Sequence, residues 1–211
     1  MLLFGHIGIT LGIAVLLSRM LPNDIQIMVN GSTLSTDNST DFTSTKQRPT
    51  RRPSWLSLLW NRLDMRVILI GSLVPDIIDK PIGLLFFRET LSNGRIIGHS
   101  LLFLILVTLA GLYLYRSRGT TTLLGVSFGV FTHIIFDQMW ETPRTLFWPI
   151  YGVTFGREST ADWIPNIFHG LTTDPCVYLP ELVGAAILVW FILVLVRKRK
   201  VFSFLKRGQV Q

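Results

Sequence analysis

Apolar positions along this chain gather into long runs separated by polar stretches. A helix that crosses a bilayer needs about 20 mostly apolar residues. Five stretches approach that pattern, at 2–18, 67–87, 99–115, 120–140 and 176–196. The second is interrupted by a polar, proline-bearing stretch, and Pro75 and Pro81 leave open whether it spans or re-enters. The pattern predicts an all-α fold: a polytopic membrane helical bundle with about five membrane segments, the second broken at Pro75–Asp79. Residues 1–211 read as one membrane domain without internal repeats. Residues 29–54, rich in Ser, Thr, Asn and Asp, read as a flexible polar loop inserted into it. The first segment is expected to be a retained span, because no Lys or Arg precedes Arg19 and no small-residue cleavage site follows.

Composition agrees with that pattern. Hydrophobic residues make up 49% of the 211 residues and charged residues 16%, with a mean hydropathy of +0.46. A soluble domain carries roughly 25% charged residues, so a soluble globular or disordered chain is excluded. The net charge is +7, but the basic residues lie between and after the apolar runs. They read as determinants of topology, not as a nucleic-acid surface. The single cysteine, Cys176, excludes an internal disulfide framework and a cysteine-rich zinc cluster.

Lys and Arg near the span ends set the expected orientation. Arg197, Lys198, Arg199, Lys200, Lys206 and Arg207 make 197–211 a basic tail, expected in the cytoplasm. Five spans then put the N-terminus outside. The turn Arg116–Gly119 and the segment with Lys46, Arg48, Arg51, Arg52, Arg62 and Arg66 fall inside, as the rule requires. The sequons at Asn30 and Asn38 lie on that inner side and are assigned no glycan. Trp55, Trp60, Trp140, Trp148 and Trp163 lie near span ends, where an interfacial aromatic belt is expected. The stretch 146–152 (LFWPIYG) is a candidate lid dipping into the outer leaflet.

Ionisable groups inside membrane segments are costly and mark functional sites. Here they are His6, Asp76, Asp79, His99, His133 and Asp137. With the expected topology all six fall in the outer half of the membrane. His133 and Asp137 are four residues apart and share a helix face, and Asp76 and Asp79, three apart, do so if helical. Imidazoles and carboxylates from facing helices are the donors of a metal site in a bundle core. Such N/O ligation suits one or two divalent ions, Zn²⁺, Mn²⁺ or Fe²⁺. Each group also has a plainer role: His6 as a helix-packing hydrogen bonder, Asp76 as a cap beside Pro75, His99 as an interfacial residue. The same residue types also build proton relays. Arg95, four residues before His99, is a candidate for binding a substrate phosphate. His169 and Glu141 are weaker candidates, read first as surface residues, and Glu181, near the start of the fifth segment, faces either the bundle or the interface.

At these residues the chain resembles a known family, the LexA-binding, inner-membrane-associated, metal-dependent hydrolases of prokaryotes. The matching motifs are GHIGITLG at 5–12, GSLVPDIID at 71–79, GRIIGHS at 94–100 and HIIFD at 133–137, followed by TP at 142–143 and LFWP at 146–149. They occur in the family's order over roughly residues 1–150. Gly94 stands where the family often has His, and Gly98 where it often has Thr. The resemblance implies a metal site more directly than a reaction.

The resulting expectation is an integral protein of the prokaryotic inner membrane that hydrolyses a phosphoester of a lipid or lipid-linked substrate. His6, Asp76, Asp79, His99, His133 and Asp137 would be the metal ligands, and Arg95 would stabilise negative charge on the transferring group. The metal would activate a water. Partners would be membrane lipid and a small lipid-like substrate, with no nucleic acid. Two alternatives stand beside it: a small proton or metal-ion transporter using the same residues, disfavoured by the apolar inner halves of the spans, and a non-catalytic membrane adaptor whose metal is structural or whose loop recruits a soluble partner.

Overall fold

The computed structural model describes residues 2–20, 59–60, 62–86, 94–152 and 163–208. The polar loop expected at 29–54 lies outside them. Every regular element among the described residues is helical. The chain divides into two compact units, Met1–Ala14 with Leu63–Gln211, and Val15–Arg62. Helix α1 (Leu3–Met20) runs through both. In the second unit Ser18 Oγ donates to Val15 O, and Arg62 N–H donates to Leu59 O. The site lies in the first unit.

That unit continues with α2 (Met65–Gly71) and α3 (Val74–Lys80), a π-helical turn (Pro81–Phe86), α4 (Leu101–Arg118) and α5 (Thr122–Phe136). A 3-10 turn (Met139–Glu141), α6 (Pro143–Leu146), α7 (Trp163–Thr173), α8 (Pro175–Arg197) and α9 (Val201–Arg207) complete it. Three described helices, α1, α4 and α8, are long and apolar enough to cross a membrane. The other two expected segments are shorter. Helix α5 has 15 residues, a length of about 22 Å against a hydrocarbon core of about 30 Å. The second expected segment is the pair α2–α3.

The break in that pair falls at Ser72–Leu73, ahead of the expected interruption at Pro75–Asp79, which is itself helical. The reason is local. Proline has no N–H and clashes with the preceding turn, but it fits the first turn of a helix. Pro75 therefore ends nothing; it sits in the opening turn of α3. Val201–Arg207 is a helix, reached through a reversal at Arg199 (φ 52), and the Phe204 ring lies 5.3 Å from that of Phe191 on α8.

The interior combines polar, small and apolar residues, with Val130, Ile134 and Met139 among the buried apolar ones. Helix α5 buries Ser127, Gly129, Thr132 and His133. A Cβ at Gly129 would lie 2.4 Å from Ile68 O and Ser72 N, so only glycine lets the end of α2 rest on α5. Thr10 on α1 is 3.0 Å from Thr132 on α5, and Thr108 on α4 is hydrogen-bonded to Ser127. Such hydroxyl pairs and small-residue crossings hold helices together where lipid removes the hydrophobic drive. In contrast, Ile105, Leu106 and Leu109 on α4 and Leu182, Val189 and Leu193 on α8 are exposed. An apolar exterior around a hydrogen-bonded interior is what a bilayer requires.

Asp64 opens α2 as its N-cap, accepting from Arg66 N–H at 2.9 Å, while Met65 N–H donates to Gly208 O beyond α9. Burial pushes the Asp64 carboxyl up, but the hydrogen bonds and charge of Arg66 outweigh it and hold the group below its ordinary value. The folded protein therefore binds fewer protons here than the unfolded chain. The cap's contribution is present above the unfolded value of about 3.9 and is lost as pH falls through the lower folded one. Asp64→Ala should cost about 1 kcal/mol at neutral pH. Thermal unfolding in detergent should show the gap between the two proteins closing below about pH 4.

Candidate metal centre

Four stretches of chain deliver the ionisable residues to one place. His6 comes from the second turn of α1, and Asp76 and Asp79 from α3. Arg95 and His99 come from the loop before α4. His133 and Asp137 come from the end of α5, where Asp137 is the C-cap and donates its N–H to His133 O. His6, Asp79, His99 and His133 are fully buried. His133 Nε2 lies 3.1 Å from His99 Nε2. Asp76 Oδ1 lies 3.6 Å from His99 Nε2 and 3.9 Å from His133 Nε2. Asp137 Oδ2 is 3.8 Å from His99 Nε2, and its Oδ1 is 3.3 Å from His6 Nε2. The rings of His6 and His133 stack with centroids 4.0 Å apart.

Two of the rings are turned by acceptors behind them. His99 Nδ1 faces Asp79 Oδ2 at 2.7 Å, and His133 Nδ1 faces Ser72 O at 2.6 Å. A carboxylate and a carbonyl only accept, so each takes the Nδ1–H. In the neutral rings both Nε2 atoms then carry lone pairs, and these point at each other across 3.1 Å. Lone pairs so placed repel unless a proton or a cation lies between them. A tetrahedral ion with bonds of about 2.0–2.1 Å has ligand–ligand edges of about 3.3 Å. The N···N and N···O separations here bracket that value.

Asp79 does not occupy the expected ligand position. Its Oδ2 accepts from Ile96 N (2.6 Å), His99 N (3.2 Å) and His99 Nδ1, and its Oδ1 from Gly98 N (2.9 Å). Both oxygens are committed to the 96–99 loop, so Asp79 orients the His99 ring from behind. A Cβ at Gly98 would lie 3.0 Å from Pro75 Cα and 3.2 Å from Asp79 Oδ1. The loop's close seat on α3 accounts for glycine at this departure from the family pattern.

The groups that could hold a metal ion are His6, His133 and Asp137, and Asp76, His99 and His133. Both need the one open nitrogen of His133, so they fit a single shared cation better than two complete sites. The donor set fits such an ion in a further respect. Neither ring nitrogen of the buried His6 makes a hydrogen bond, although Nε2 is within ion-pair distance of Asp137.

Arg95 Nε donates to Asp137 Oδ2 at 2.8 Å, with its side chain 36% exposed. Lys80, absent from the sequence-based set, donates to Asp76 Oδ2 at 2.7 Å. The four-residue spacing of Asp76 and Lys80 on one helix was the signal for it. Nothing in the sequence pointed to Ser72 O, a backbone atom freed at the α2–α3 break. His169 is exposed on α7, near Thr173, and Glu141 is exposed in the 3-10 turn. Glu181 is buried against the start of α1. None of the three joins the cluster. In the 146–152 stretch Phe147 packs on Tyr151, and Ile150 is exposed.

A family described as YdjM inner membrane protein matches residues 38–208. The match includes every residue of the cluster except His6. No curated protein and no solved structure matches the chain.

Asp76 and Asp79 should respond differently to substitution. Asp79→Ala leaves three backbone N–H groups and an imidazole N–H without an acceptor, a loss of about 3 kcal/mol or more. Asp76→Ala strands no backbone N–H; it releases the partly exposed Lys80 and the His99 edge 3.6 Å away, and should cost clearly less than Asp79→Ala. Thermal unfolding of both variants in detergent checks this, and equal losses would contradict the assignment.

Proposed function

The chain belongs to the YdjM inner membrane protein family, and on that footing we propose that it is a membrane-bound, metal-dependent hydrolase of a phosphoester in a lipid or lipid-linked substrate. The observation that carries the proposal is the pair of Nε2 lone pairs held face to face, with carboxylates of Asp76 and Asp137 beside them. Lys80 pairs with Asp76 and Arg95 with Asp137, while Asp79 is met by N–H groups of the 96–99 loop. A divalent cation bound there would supply Lewis acidity and an activated water.

The protein's own residues prepare the site. Asp79 and Ser72 O fix the two imidazoles, which removes reorganisation from the binding step. Lys80 holds Asp76 from outside. Arg95 holds Asp137 and, at the partly exposed edge, would meet an anionic oxygen of the substrate. The lipid-like substrate follows from location. The site lies in a membrane domain whose long helices show apolar faces outward, a setting that favours a substrate already in the bilayer. The charge distribution supports an N-terminus outside and a C-terminus in the cytoplasm, which would open the site to the outer leaflet.

The test begins with elemental mass spectrometry on detergent-purified protein beside His133→Ala and Asp137→Ala. One equivalent of metal in wild type, lost in both variants with the helical content unchanged, is expected. Phosphoester substrates are then screened under that metal, and Arg95→Ala should lower turnover by about 10²–10³-fold. Failure to bind metal after reloading with Zn²⁺, Mn²⁺ or Fe²⁺ would overturn the metal assignment in favour of a proton relay. Metal binding without phosphoester hydrolysis would overturn the reaction.

A further inference from the structure

Glu181 is a buried carboxylate outside the cluster, 7% exposed, on α8. Its Oε1 accepts from Leu2 N at 2.6 Å, and its Oε2 from Phe4 N at 3.0 Å and Gly5 N at 3.1 Å. The first N–H groups of a helix have no partner within it, and α1 has no acidic residue in its own first turn. Its cap is therefore supplied by a residue more than 170 positions away. The charge-assisted bonds and the helix dipole both favour a carboxylate there. One turn further along each helix the backbones touch. A Cβ at Gly8 would lie 2.0 Å from Gly184 O, and one at Gly184 would lie 2.1 Å from Phe4 O.

His6 lies between these two contacts. His99 is tethered by Asp79 and His133 by Ser72 O, but neither ring nitrogen of His6 makes a hydrogen bond. The ring meets Asp137 Oδ1 at 3.3 Å and stacks on His133, and the α1 backbone must be held in place for it to reach both.

We infer that Glu181 is the positioning residue for His6: by capping α1 from α8 it holds the imidazole in the cluster and raises the cluster's affinity for a divalent cation. The affinity part rests on the cation reading given above; the positional part does not.

The experiment uses the full chain in detergent, as wild type, Glu181→Gln, Glu181→Ala, His6→Ala and the Glu181→Ala/His6→Ala double variant. Without metal, diethyl pyrocarbonate labelling read by peptide mass spectrometry reports the exposure of each histidine. Expected is protection of His6 in wild type and its labelling in Glu181→Ala, while His99 and His133 stay protected. Glu181→Gln, which keeps an accepting oxygen, should fall between. With Co²⁺ as the probe, Glu181→Ala should weaken binding about 10- to 100-fold, and the double variant should bind no more weakly than His6→Ala. Unchanged His6 protection in both Glu181 variants overturns the inference. So does joint labelling of all three histidines in Glu181→Gln, or additive losses of Co²⁺ affinity. If wild type binds no Co²⁺ while Glu181→Ala selectively exposes His6, the cation reading fails and the positioning role stands.

Discussion

A carboxylate buried in a membrane protein has no water to fall back on, so Asp79 persists only because four N–H groups surround it. That arrangement organises the rest of the centre. It folds the 96–99 loop onto α3, seats Gly98 against Pro75, and turns the His99 ring so that Nε2 meets its counterpart on His133. On the far side, the freed carbonyl of Ser72 does the same for His133. The two imidazoles are thus aimed by groups that lie outside the cluster, and the cluster's geometry is a property of how α3, α5 and the loop before α4 pack.

The packing in turn depends on small side chains. Gly129 brings α2 against α5, and Gly8 and Gly184 bring α1 against α8. The same close packing sets Thr10 beside Thr132 and Thr108 beside Ser127. It also brings His6 within reach of Asp137. Larger residues at the crossings would move the donors apart by more than a hydrogen bond tolerates.

Much of this was legible in the sequence, and the reasons are specific. Hydropathy identifies α1, α4 and α8 because lipid-facing helices must be apolar over their whole length. The intramembrane His and Asp residues stand out because burying them is costly, and five of those six side chains meet at one point. What sequence could not assign was the division of labour among like residues. Asp76 and Asp79 are three positions apart on one short helix, yet one faces the imidazoles and the other the loop behind them. That distinction is made by Ile96, Gly98 and His99 N–H groups, whose approach is tertiary. The same holds for Glu181, whose acceptor role depends on a helix at the other end of the chain. The α2–α3 break falls ahead of Pro75, because proline's geometry suits the beginning of a helix and not its interruption.

The shortness of α5 also affects the membrane around it. Its exposed Phe131 and Ile135 belong to a helix of 15 residues packed against α4, which has 18. A hydrophobic element shorter than the film around it draws that film thinner or forces its neighbours to tilt. His133 and Asp137 of the cluster lie at the end of that element. Bilayer thickness, set by acyl-chain length, is therefore an environmental variable to which this centre is mechanically connected.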